Sequence, residues 1–288
     1  MTGVELPPAV NDADVSESEE EKPLNVEDPG RDAHLRPTEP VQFMEIFSNP
    51  RIAPEVRRLG QTCGPSIDLG TGWDLTKKAV QQRLLQLLYV LQPLVLMLCP
   101  PCTVFSCVQN TMRDRRADYK KWEKQYAEGL CLFKFALLIF RLQVQAGCKV
   151  VLEHPWRASS WTLSCTQNIL ALHDVFQTVF DQCLLGLRTL QTDQAVRKRT
   201  VFMTNWTGLC SSFSTRCTPA TCNHFPSFHA QLQGAEGGMS RTRAAQTYPL
   251  RFCQNFAQSV FQEHLRQQVQ APALPQDVEE VSEDEESI

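Results

Sequence analysis

The feature that most constrains this fold is Leu94-Val-Leu-Met-Leu-Cys99, a run of consecutive apolar residues closed by Pro100-Pro101. A strand with one wet face alternates apolar and polar side chains, so a run with no polar member must be covered on both faces. Proline has no amide proton for a ladder and steers its predecessor away from helix, so the run ends where the prolines begin. The longer apolar stretch from Leu84 to Cys99 is too short for a bilayer and is interrupted by Gln86, Gln92 and Pro93. The run therefore reads as the central strand of a sheet that has helices above and below it.

The flanking pattern agrees. Gln42–Phe47, Ser66–Leu69, Val150–Glu153, Val175–Asp181 and Thr200–Thr204 read as strands. Between them Pro54–Gly60 reads as a short helix, and Thr76 is placed to cap a helix through Leu91 whose Leu84, Leu87, Leu88 and Leu91 share a face. Tyr119–Ala146 is a long helix striped by Trp122, Tyr126, Leu130, Phe133 and Leu137 and ended by Gly147; Thr166–His173 and Leu250–Leu265 are two more. No internal repeat is present. Alternating strands and helices predict an α/β, Rossmann-like fold with a mostly parallel sheet and helices on both faces. Such sheets bind ligands beyond the carboxyl ends of their strands.

Charge divides the chain. Residues 1–40 carry 11 acids and 3 bases, and residues 271–288 carry 7 acids and no base. These ends lack the apolar content to offset ordering entropy, so 1–40 and 269–288 are expected to be disordered acidic tails around a folded unit at 41–268. Residues 41–270 are left with a net charge of about +11, which favours a polyanion such as nucleic acid as partner. The first 40 residues do not have the pattern of a secretory signal. The 12 cysteines, spread along a long chain, are expected to be reduced, in an intracellular, monomeric protein that does not enter the membrane and is nuclear if eukaryotic.

Pro101-Cys102-Thr103-Val104-Phe105-Ser106 follows the apolar strand directly and sets a thiol on a turn at the mouth of the sheet. This segment resembles the Pro-Cys-Gln-x-Phe-Ser loop of C5-cytosine DNA methyltransferases, with Thr103 in place of Gln. The resemblance implies that the Cys102 thiolate attacks C6 of cytosine, activating C5 toward the methyl group of S-adenosylmethionine. Glu153-His154-Pro155 is similar to the family's Glu-Asn-Val, which assigns Glu153 to the N3 and amino edge of a flipped cytosine. Gln194-Ala-Val-Arg197-Lys-Arg199 resembles its Gln-x-Arg-x-Arg segment with one residue added, which implies that Arg197 and Arg199 grip the substrate. Arg243 to Pro249, before the last helix, looks like the closing Gly-Asn-Ala-Val-Pro motif and places Gln246 and Tyr248 near the cofactor. The resemblance is to divergent members associated with mobile elements and large viruses.

Two registers compete for the cofactor. Ile67-Asp68-Leu69-Gly70-Thr71-Gly72 reads like an Asp-x-Gly-x-Gly loop, but too little chain separates it from Cys102 for a full cofactor-binding half. In the other register Phe43-Met-Glu45-Ile-Phe47 is the first strand, followed by Ser48-Asn49-Pro50-Arg51 where similar enzymes have glycines. Asp68 then falls at the interval for a ribose-binding acid and Asp74 can receive the adenine amino group. This second register, with Glu45, Phe47, Asp68, Asp74, Pro101 and Gln246 about S-adenosylmethionine, is the preferred expectation.

Residues 205–242 form a short Cys/His-containing insert where the family usually has a larger recognition domain. Cys217, Cys222, His224 and His229 are weak candidates for a zinc site, because the single residue between Cys222 and His224 is unlike common finger spacing. The expected function is methylation of cytosine C5 in DNA, with RNA as another possible substrate. Two alternatives remain open. One is an inactive nucleic-acid-binding relic of a mobile element. The other is an amino-group DNA methyltransferase with Cys99-Pro100-Pro101-Cys102 standing for an Asp-Pro-Pro-Tyr loop.

Overall fold

A computed structural model describes residues 41–106, 119–221 and 229–270. The acidic stretches 1–40 and 271–288 lie outside the described residues, as do Cys222 and His224.

The centre is a five-stranded mixed sheet of β1 (Phe43–Ile46), β2 (Val95–Leu98), β3 (Lys149–Pro155), β4 (Phe176–Asp181) and β5 (Arg199–Thr204), in the order β1-β2-β3-β5-β4. β1, β2 and β3 pair in parallel, with Phe43 opposite Val95 and Leu98 opposite Leu152. The apolar run is β2, buried throughout and flanked on both edges, as its composition requires.

The far half departs from the expected parallel pattern. β5 is antiparallel to both β3 and β4, so it alone runs against the other four strands. A parallel return from β4 would need a long crossover, usually a helix. Residues 182–198 instead fold into a 3-10 turn at Gln182–Leu185 and an antiparallel bridge between Arg188 and Ala195, which sends the chain straight back.

The expected strand at Ser66–Leu69 is reduced to bridges from Cys63 to Phe43 and from Ile67 to Ile46, both parallel, on the outer side of β1. The reason is local: Asp68 accepts the Gly70 amide at 2.8 Å while Thr71 Oγ1 accepts the Asp68 amide at 2.9 Å. This reciprocal capping bends the chain into a 3-10 turn at Leu69–Thr71.

Helices cover both faces. On one side Met44, Ile46, Leu96, Leu98, Val150 and Leu152 pack beneath α2 (Lys78–Leu91), α3 (Tyr119–Gln145) and α4 (Ser164–Leu170), with Leu84, Phe133, Phe140 and Ile169 facing in. On the other, Phe43, Val95, Met97, Val151 and Phe202 pack against α1 (Ala53–Arg58) and α6 (Leu250–Gln270) through Val56, Phe252 and Phe256. The small α5 (Arg241–Ala244) and the two-residue strands β6 (Ala235–Glu236) and β7 (Met239–Ser240) precede α6. Lys77 rather than Thr76 is the cap residue of α2, because the Thr76 hydroxyl is taken by Asp74. α6 runs on to Gln270, past the expected end at Leu265 and into the stretch assigned to the C-terminal tail.

Among the described residues, no helix is long and apolar enough to cross a membrane.

Candidate active site

β1 receives the 62–67 segment on one side and β2 on the other, so the chain changes direction across the sheet between the carboxyl ends of β1 and β2. In open α/β sheets such a reversal is where ligands bind, in a crevice beyond the strand ends. Phe47, Cys99 and the Pro100–Cys102 turn follow the ends of β1 and β2, and the Cys99 amide donates to Ile46 O at 3.0 Å.

Cys102 begins a 3-10 turn at Thr103–Phe105. Phe105 is fully buried against Tyr126 and Phe133 of α3 and against His154, which anchors the turn. Val104 reaches α3 only because residue 129 is glycine: a Cβ there would lie 2.6 Å from Val104 Cγ2. A mid-helix glycine weakens α3 intrinsically, and here it admits the loop.

Strand alternation sorts β3. Glu153 faces the α1/α6 side with Val151, and His154 faces the opposite side with Leu152. The His154 ring is completely buried, with Nε2 3.2 Å from Pro100 O and Nδ1 2.6 Å from Ser160 Oγ. A carbonyl can only accept, so Nε2 carries the proton and Nδ1 accepts from the Ser160 hydroxyl. Burial pushes the imidazole pKa down to about 3, so the ring is neutral. His154 thus binds the end of β3 to the turn that carries Cys102.

Glu153 is 6% exposed, and its Oε1 makes no hydrogen bond among the described residues. Lys198 Nζ stands 3.6 Å from that oxygen and 5.8 Å from the Tyr248 ring centroid. Tyr248 closes the group: its ring stacks on Phe252, its OH lies 3.2 Å from Cys99 Sγ, and its carbonyl accepts from Arg51 Nε at 3.1 Å. Burial raises the Cys102 thiol, the Glu153 carboxylate raises it further, and the Lys198 ammonium pulls it down. Burial likewise holds the Cys99 thiol and the Tyr248 phenol well above their ordinary values, so both stay protonated at neutral pH.

The structure therefore brings Cys102 and Glu153 into one cluster but changes the expected cations. Arg199 binds Asp181 with two hydrogen bonds, Nε to Oδ1 at 2.9 Å and Nη2 to Oδ2 at 3.1 Å, and stacks on Trp156. Its guanidinium is committed inside the protein, while Arg197 is exposed. Lys198, which the motif comparison passes over, is the cation beside Glu153. Alternation was the available signal: Lys198 shares parity with Phe202 on the Glu153 side, and Arg199 shares parity with Met203 on the other.

Of the expected cofactor residues, Glu45 is fully buried, and its Oε1 accepts the Arg51 and Ala53 amides, each at 3.1 Å. Burial raises its carboxyl despite those bonds. Glu45 holds the turn after β1 to the start of α1 through Oε1, and its buried Oε2 has no hydrogen-bond partner among the described residues. Phe47 adopts φ 60°, a left-handed conformation that makes the turn where glycine is otherwise favoured. Asp68 is half-buried, with Oδ1 on the Gly70 amide and no partner on Oδ2 among the described residues. Asp74 is bound by Thr76 and Lys77, and the Thr76 hydroxyl and Lys77 ammonium hold its carboxyl below the usual value. Pro101 and Gln246 are exposed, and Tyr248 rather than Gln246 makes the contact from the last motif.

No family model matches this chain, and no curated protein matches it.

Proposed function

We propose that this chain is an S-adenosylmethionine-dependent methyltransferase acting on cytosine C5 in DNA through a covalent adduct at Cys102. The observation that carries the reading is the buried Glu153 Oε1, without a hydrogen-bond donor, beside a cysteine on the turn beyond the adjacent parallel strand. A buried carboxylate oxygen lacking a donor is costly, and the N3 and amino edge of a cytosine brought into the crevice supplies one.

The chemistry follows from the cluster. The Cys102 thiol releases its proton to solvent and the sulfur bonds to C6 as the C5–C6 π bond opens, while Glu153, having taken up a proton from solvent, passes it to N3 and so neutralises the charge that would otherwise collect on the ring. While Glu153 still holds its proton, one of the two causes that raise the Cys102 thiol is absent and Lys198 still favours the thiolate, so attack on C6 is easiest before that proton reaches N3. C5 then takes the methyl group, water carries off the C5 proton, the C6–S bond breaks to return the thiolate, and N3 gives its proton back to Glu153.

S-adenosylmethionine supplies the methyl group when bound. The half-buried Asp68, with one oxygen unpartnered among the described residues, fits a ribose hydroxyl beside the crevice. Asp74 would have to exchange its Thr76 contact for an adenine amino group. That internal engagement, with Pro50 and Arg51 after β1, favours the second reading: a nucleic-acid-binding relic that does not methylate.

A duplex containing 5-fluorocytosine decides between them, because fluorine blocks the loss of the C5 substituent. The full chain with cofactor should form a denaturant-resistant adduct that Cys102→Ser abolishes. DNA binding without an adduct selects the relic. A methyl mark on an amino group that Cys102→Ser leaves intact selects amino-group transfer.

A further inference from the structure

Two residues of the 205–242 insert, Cys217 and His229, meet Cys183 in a second chemical cluster. Cys183 lies in the 3-10 turn after β4, Cys217 follows the loop from β5, and His229 precedes the strand pair β6–β7. These segments are distant in sequence, yet one sulfur from each cysteine and one imidazole nitrogen all lie within 4.8 Å of one another. Both cysteines are buried and the histidine is half-buried.

The spacing is that of a coordination sphere. Zn–S bonds of about 2.3 Å and Zn–N bonds of about 2.0 Å give a tetrahedral S···N edge of about 3.5 Å. Cys217 Sγ and His229 Nε2 are 3.5 Å apart. A thiol–imidazole hydrogen bond also has that length, but it does not account for the second buried sulfur on the same spot.

The surrounding chain holds each donor in place. The Cys217 amide donates to Asp181 Oδ2 at 2.8 Å, and Asp181, two residues before Cys183, is locked by Arg199. Beside His229, the Ala230 amide donates to Ala195 O at 2.9 Å, and Ala195 packs against Cys183 and Cys217. The Arg199 guanidinium, fixed on Asp181, lies close enough to interact electrostatically with both cysteines, and metal binds cysteine as the thiolate.

We propose that Cys183, Cys217 and His229 bind a Zn²⁺ ion, with a fourth donor completing the tetrahedron. The ion clamps Cys217 and His229 onto the end of β4. Each thiol gives up its proton to solvent on binding, and neither metal nor sulfur changes oxidation state. The set shares Cys217 and His229 with the one expected from sequence and adds Cys183, which was passed over; Cys222 and His224 lie outside the described residues. A cysteine two residues past a strand ending in Asp was the only local signal for Cys183. The proposal does not depend on methyltransferase activity.

The test uses the full chain carrying no metal-binding tag. Elemental analysis should find one zinc per chain, and Co²⁺ exchanged into the site should show thiolate-to-cobalt charge transfer and tetrahedral d–d bands. Cys183→Ser and His229→Ala should each lose the metal and those bands. Should the variants fail to fold, the natural chain answers alone: a chelator should lower its Tm and added Zn²⁺ should restore it. Metal at trace level with a Tm indifferent to Zn²⁺ overturns the proposal. So does a Cys183–Cys217 disulfide in the purified protein, or a full equivalent of zinc retained by both variants.

Discussion

The His154 imidazole donates from Nε2 to the carbonyl of Pro100 at 3.2 Å, joining the end of β3 to the end of β2 inside the core. The carbonyl selects the tautomer with the proton on Nε2, and a completely buried ring strongly resists charging. The position of the Cys102 turn is thereby coupled to a titratable group.

The pH dependence of stability follows with a definite sign. An unfolded histidine titrates near 6.5 and His154 in the fold near about 3, so the unfolded chain binds the extra proton throughout that window. The neutral ring's stabilisation is fully present above pH 6.5 and is lost as pH falls through the window, at about 1.4 kcal/mol per pH unit. Urea denaturation between pH 7 and pH 5 should show this decline, and His154→Asn, which can still donate to Pro100 O but does not titrate, should lack it. Parallel curves for the two proteins would show that His154 is not held neutral.

Reactivity of the Cys102 thiol should respond in opposite directions to its two charged neighbours. Glu153→Gln removes a negative charge that raises the thiol, so alkylation of Cys102 by iodoacetamide at fixed pH should speed up several-fold. Lys198→Met removes the charge that lowers it, and alkylation should slow by a similar factor. Peptide mass spectrometry that resolves Cys102 from Cys99 gives the rates without any substrate.

Gly129 should resist the substitution that helix propensity recommends. Alanine gains up to about 1 kcal/mol in a helix interior, but its methyl would fall 2.6 Å from Val104 Cγ2. Displacing a packed loop costs about 1–3 kcal/mol, so Gly129→Ala should be less stable than the natural chain. Adding Val104→Ala should recover most of the loss, since the clash is with that side chain. Denaturation of the single and double variants measures the coupling.

Arg199 and Arg197 should separate cleanly. Arg199→Met leaves Asp181 buried without its ion-pair partner and should cost about 3 kcal/mol, the lower end for breaking a buried pair, because the guanidinium is partly exposed. Arg197→Met, at an exposed position, should leave stability nearly unchanged and weaken DNA binding most at low salt. Equal losses of stability would contradict the division of roles between the two residues.

Elements whose signal is local were legible in the residues alone. β2 had to be a covered strand because no residue of Leu94–Cys99 tolerates water, and α3 had to present Phe133 and Leu137 inward because their spacing matches the helical turn. Cys102 and Glu153 were legible because each directly follows or ends an apolar strand. The Ser66–Leu69 strand was lost to a turn made by Asp68 and Thr71, whose side chains outbid the ladder for nearby amides. Long-range contacts turn β5 backward, set Lys198 rather than Arg199 against Glu153, bind His154 to Pro100, and bring Cys183 to Cys217 and His229. Periodicity reports which face of an element is apolar, whereas pairing direction and side-chain partnership depend on how distant segments return to one another. That information resides in contacts between residues far apart in the chain, where no spacing rule reaches.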